Sequence, residues 1–260
     1  MVTALKTSIN ILLVFLFTAC TSVPDERMTP YVDFPETREL TARTLSLDSA
    51  LFRYPYRVRV QDDKAVVLDL HGTEYFFHAF HYPGFHYLSS FGKRGDAPEE
   101  MLSAENLRWN GNFLWTLDSN KSELTRLGFA SSGDSLLRLE TVSLDEELLR
   151  ALDFVQYDDS TFIIPDYSGD SRFCLVSRQG KLLRKIGTIP TANEDALKSA
   201  RPALAQAWRS FIDYNPRNGV LAAATQLGEV LEIYNLKDST HIVRIGPNGE
   251  PEFQISQGYG

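Results

Sequence analysis

One plan recurs four times along this chain, and a repeat this short and regular leaves few folds open. The first unit reads YRVRVQDD, KAVVLDL, HGT, EYFFHAF, HYPG, FHYLSSFG. These are short runs rich in Val, Phe, Tyr and Leu, cut by Asp-Asp, His-Gly-Thr and Tyr-Pro-Gly, the signature of strands separated by tight turns. The second unit runs AENLRW, NG, NFLWTLD, SNKS, ELTRLGFA, SSGD, SLLRLETV, with Asn110-Gly111 as the strongest two-residue hairpin signal. ALDFVQY to LLRKIG forms the third and WRSFIDY to THIVRIG the fourth. Leu68-Asp69, Leu117-Asp118 and Pro165-Asp166 close the second strand of units one to three, 49 and then 48 residues apart. Ala224-Thr225, the fourth equivalent, lies 59 further on, the excess falling in TIPTANEDALKSARPALAQA (188–207). Ala, Leu, Gln and Lys outnumber β-branched residues there, which predicts a short helical excursion.

A four-stranded meander cannot bury both faces alone, and stacking such sheets around an axis solves the problem. The expected fold is therefore all-β, a β-propeller over residues 46–260 with blades near 56–92, 104–142, 151–187 and 208–246. Two β-sandwiches would not return the same four turn positions at one period. After the fourth unit, Gly246 to Phe253 repeats the pattern of the connector Gly92 to Glu100, so the sequence reads as though a fifth blade were about to begin. Apolar faces open to water on the first and last blades, and an unpaired tail over 250–260, are the expectation.

The N-terminus fixes a location. Lys6 precedes an apolar stretch from Ile9 to Ala19 broken only by Asn10, so residues 1–19 read as a secretory signal. A membrane span needs roughly 20 apolar residues, more than this stretch offers. Phe17-Thr18-Ala19-Cys20 resembles the bacterial lipobox, with Phe17 where Leu is usual, and makes Cys20 the expected lipid attachment. A thiolate is the nucleophile that thioether formation requires, and the two acyl chains of a diacylglyceryl group suffice for stable anchoring. Residues 20–45, with their prolines and mixed charge, read as a tether. Cys174 is then the one remaining thiol, inside the apolar run Phe173 to Val176, and is expected in the core. Processing leaves 25 basic against 34 acidic residues, a balance of −9 that argues against a nucleic-acid partner or a polybasic membrane patch.

Asp62-Asp63, Val67-Leu68-Asp69, Phe76 to His78, Phe91-Gly92-Lys93-Arg94-Gly95 and Pro98-Glu99-Glu100 together resemble the TolB-like six-bladed propeller lipoproteins of Bacteroides-type bacteria. The resemblance implies the fold, a lipid anchor and the bacterial cell envelope, and it implies no activity. By that comparison the four units are an incomplete six-bladed ring.

Chemistry is sparsely signalled. Asp69, Asp118 and Asp166 open the loops between second and third strands and, with His71, are the candidate ligand-binding set, for a cation or a sugar. Asp after a strand also accepts hydrogen bonds from its own turn and needs no ligand. His78, His81 and His86 have close spacing, but strands alternate faces and the first two point apart, so no metal is expected. No catalytic motif or cofactor loop is present. The functional expectation is a membrane-anchored binding module for a protein or glycan partner. The alternative is a carbohydrate-active enzyme, a polysaccharide hydrolase or lyase, working through two carboxylates.

Overall fold

The structure, a computed structural model, describes residues 36–45 and 52–253. Cys20, the signal segment and most of the tether lie outside the described residues.

The described residues form a β-propeller of four antiparallel four-stranded blades arranged in a ring. Blade one holds β1 (Pro55–Gln61), β2 (Lys64–Asp69), β3 (Tyr75–His81) and β4 (His86–Lys93). Blade two holds β5 (Ala104–Asn110), β6 (Phe113–Asp118), β7 (Glu123–Phe129) and β8 (Leu136–Ser143). Blade three is β9 (Val155–Asp158), β10 (Thr161–Pro165), β11 (Phe173–Ser177) and β12 (Leu182–Ile186). After α1 (Glu194–Ser199) and α2 (Arg201–Ala207) comes blade four, β13 (Ser210–Asn215), β14 (Val220–Thr225), β15 (Val230–Asn235) and β16 (Thr240–Ile245). Every blade is a meander in sequence order. Asn110-Gly111 makes the β5–β6 hairpin, Gly111 at a φ of 52° that a side chain would strain.

Burial along the second strands reports how each blade is covered. From its second residue on, each of β2, β6 and β10 is buried without interruption, because both faces carry neighbours. Val66, Leu68 and Phe77 of blade one pack on Met101, Leu107 and Leu114. Trp115 and Leu117 of blade two meet Phe154, Phe162 and Ile164. Ile163 and Phe173 of blade three meet Ile212, Leu221 and Tyr234. Each such side chain, fully buried, contributes about 1.5–3 kcal/mol. β14 is different: only Leu221 and Ala223 are buried, on the side facing blade three.

The junction between blades four and one is not filled in this way. Among the described residues no apolar cluster spans it, and the outer face of blade four exposes Phe211, Leu231 and Ile242 at 45%, 41% and 44%. Blade one covers part of its own outer face by folding Phe52 and Phe85 onto Ala65, Val67 and Phe80, leaving Val58 and Val60 exposed.

Residues 188–207 do form the helical excursion. Asn193 accepts from Ala196 N at 3.0 Å to cap α1, and α2 buries Leu204 and Ala205 beside Trp208, against Val230, Val243 and Ile245. This insertion corrects the expectation of an unpaired tail from residue 250. The Glu250 carboxylate accepts from Thr191 Oγ1 at 2.5 Å and Ala192 N at 3.0 Å, Pro251 is buried, and Phe253 packs beside the helices. The connector supplies the seat that a periodic reading could not foresee; residues 254–260 lie outside the described residues.

Candidate functional site

The first strand of each blade lines the axis, and there the four sequences place polar residues where a packed sheet would favour apolar ones. Counted back from the closing pairs of the hairpins, Gln61↔Lys64, Asn110↔Phe113 and Asn215↔Val220, the third position is Arg59, Arg108 and Asp213. Gln156 pairs with Phe162 in blade three, where a bulge shifts the register. Arg59, Arg108 and Asp213 thus share one level of the axis, and Gln156 accepts from Asn110 Nδ2 at the hairpin end of blade two.

Beneath them Asp153, 2% exposed, is a hub. It accepts from Asn106 Nδ2, from Arg108 Nη2 at 3.0 Å and from Phe154 N at 2.7 Å, and its second oxygen from Ile212 N at 3.4 Å. Arg108 also reaches Asp213 through Nη1 at 3.1 Å and donates to the Ile212 carbonyl, tying blades two, three and four together. Blade one contributes Arg59, whose Nε donates to the Leu107 carbonyl at 3.4 Å, and Arg57, which lies 5.0 Å from the rings of Tyr56 and Phe211. Among the described residues neither Arg57 nor Arg59 has a carboxylate within ion-pair reach. Burial, then the neighbouring charges of Arg108 and Arg57, lowers the Arg59 pKa from arginine's usual value.

Above this layer opens a cleft of about 480 Å³, lined by Arg59, Arg108, Trp109, Gln156, Tyr157 and Tyr214 with the acids Asp158, Asp159 and Asp213. The rings of Tyr157 and Tyr214 lie 5.3 Å apart at 41°, one from blade three and one from blade four. For Asp158 the burial that would raise its pKa is outweighed by hydrogen bonds from Ser160 and Thr161, and it lies below the ordinary value.

The aspartates singled out in the sequence sit at the opposite end of the sheets, where second strands end. Asp69 accepts from Arg53 N and Tyr54 N at 2.8 and 2.6 Å. Asp118 accepts from Leu102, Ser103, Asn120 and Lys121 amides at 2.7–3.2 Å. Asp166 takes the amides and hydroxyls of Ser168 and Ser171. All three are buried, Asp69 against the segment that leads into β1 and Asp118 and Asp166 with partners in their own turns, and no single cleft gathers them among the described residues. Asp69 lines a smaller cleft of about 340 Å³ with His78, Tyr87 and Ser90; His71 is exposed against the Tyr54 ring at 5.3 Å.

Turn residues repeat from unit to unit, whereas the axial residues Arg59, Arg108, Gln156 and Asp213 differ in type and so leave no repeating signal. Aligning the first strands of the units by hairpin would have set Arg59, Arg108 and Asp213 in one column.

Fold and cleft together define a blade-repeat protein with a polar, aromatic-rimmed axis and no catalytic signature in its sequence. The chain belongs to the family described as TolB-like 6-blade propeller-like, which matches residues 33–259; the described residues build four blades. A Bacteroides fragilis NCTC 9343 protein described as exported has a similar fold, with a TM-score of 0.50 at 10% identity over 80% of this chain and 75% of that one. So does a DUF4221 family member from Bacteroides vulgatus ATCC 8482, with a TM-score of 0.53 at 12% identity over 82% and 66%. No functionally curated protein matches the chain in sequence.

Proposed function

We propose that this chain is a lipid-anchored binding module of the bacterial cell envelope and that its axial cleft holds a saccharide. The observation that carries the reading is the lining of the cleft: planar polar groups from Arg59, Arg108, Gln156 and Asp213 beside the half-buried rings of Tyr157 and Tyr214. Sugars present hydroxyls around their edge and C–H groups on their faces, so a site that pairs fixed hydrogen-bonding groups with aromatic faces suits them. Binding is favoured over hydrolysis because a general acid needs a pKa pushed upward, and the Asp158 carboxyl is held downward. Export is supported by the description of the Bacteroides fragilis relative and by the signal-like residues 1–19.

The site is tested with Tyr214→Leu, which retains apolar packing but removes the aromatic face. Affinity for xylotetraose, measured by calorimetry, should fall roughly five- to tenfold, since aromatic contacts of this kind are worth about 1 kcal/mol. Equal affinity in the variant and the parent would overturn the cleft as the seat. The anchor is tested with Cys20→Ala, which should abolish incorporation of labelled fatty acid and release the protein from the membrane fraction. Label entering the variant would refute it.

A further inference from the structure

We infer that the saccharide is acidic and carries a single carboxylate, which Arg59 receives at the inner end of the cleft; this rests on the saccharide reading above. The axis holds three arginines, and Arg108 alone is neutralised, by Asp153 at 3.0 Å and Asp213 at 3.1 Å. Arg57 and Arg59 are half-buried, and neither has a carboxylate partner among the described residues. A guanidinium removed from water without a counterion is costly, and an arriving carboxylate relieves that cost at its own binding site. Arg59 makes one long hydrogen bond through Nε, to a carbonyl at 3.4 Å, and lines the cleft. Arg57, flanked by Tyr56 and Phe211, adds positive potential at Arg59 without lining the cleft.

The rim has the opposite sign. Asp158 and Asp159 are exposed and line the opening, so a polyanion would be repelled along its length while one carboxylate passes to the interior. Rim carboxylates are acceptors for sugar hydroxyls, and Tyr157 and Tyr214 offer ring faces. The arrangement therefore fits an oligosaccharide with one uronate on an otherwise neutral chain.

The probe is a xylo-oligosaccharide bearing one glucuronate, titrated calorimetrically into the full processed protein beside the same compound with its carboxyl reduced. The acidic form should bind roughly ten- to a hundredfold more tightly, the range of one charge-assisted hydrogen-bonded pair, and the advantage should shrink as salt rises. Arg59→Met, which keeps the apolar stem, should erase the advantage, so that the acidic and the reduced compound bind the variant equally. Equal binding of both compounds would overturn the acidic assignment while leaving the saccharide reading intact. Binding of neither, or binding only of a peptide through its free C-terminal carboxylate, would overturn both.

Discussion

Replacing Asp153 by Asn removes one charge from the axis and changes little else. With the amide oxygen placed as Oδ1 is now, the bonds from Asn106, Arg108 and Phe154 persist, and only the long contact from Ile212 N at 3.4 Å is lost. Arg108, with its side chain 11% exposed, then keeps just Asp213, which is 85% exposed and well screened. Unit charges at 4 Å interact by about 4 kcal/mol at an effective dielectric of 20, and breaking a buried pair costs about 3–5 kcal/mol. Water in the cleft offsets part of this, so Asp153→Asn should destabilise by about 2–4 kcal/mol, a large share of a domain's roughly 5–15 kcal/mol. Urea unfolding should show a lower midpoint at unchanged slope. In an Arg108→Met background the same substitution should cost under about 1 kcal/mol, giving a coupling of about 1–4 kcal/mol. A coupling below about 0.5 kcal/mol would show that the axis is not held by this pair.

Glu140, on β8, is bonded by Arg178 Nη2 at 2.6 Å and Arg126 Nε at 3.0 Å, and the Arg178 hydrogen bond above all holds its carboxyl below the usual value. A folded pKa below the unfolded one gives stability that is present at neutral pH and lost as pH falls from about 4.3 through the folded value. The parent's urea midpoint should therefore drop more between pH 7 and pH 3 than that of Glu140→Gln, and parallel drops would refute the linkage. Burial, with Asp166 adding, pushes the Cys174 thiol up to about 12, so in the Cys20→Ala protein Ellman's reagent should find no reacting thiol in the native state and one after denaturation.

Much of the fold was legible because it rests on local rules repeated in register. Turn residues such as Asn110-Gly111, the runs KAVVLD and FLWTLD, and the near-constant spacing of Asp69, Asp118 and Asp166 each state a strand or a turn without reference to the rest of the chain. The structural role of those aspartates was legible for the same reason, since Asp118 and Asp166 find partners in their own turns.

By itself the sequence determined four blades and their order, since those follow from pattern over a few residues; the six-bladed ring that the resemblance implied is not what the described residues build. Tertiary structure alone decided what lies on the axis. Arg108 meets Asp213 across 105 residues and Asp153 across 45. No periodicity within one blade announces such a pair, because these contacts arise only when first strands from different repeats are brought side by side. The docking of Glu250 on Thr191 is of the same kind, 59 residues apart and made possible by an insertion that breaks the repeat. Strand formation is a short-range choice of backbone and turn chemistry, whereas the cleft is a product of closure, in which charges distant in sequence become each other's solvent.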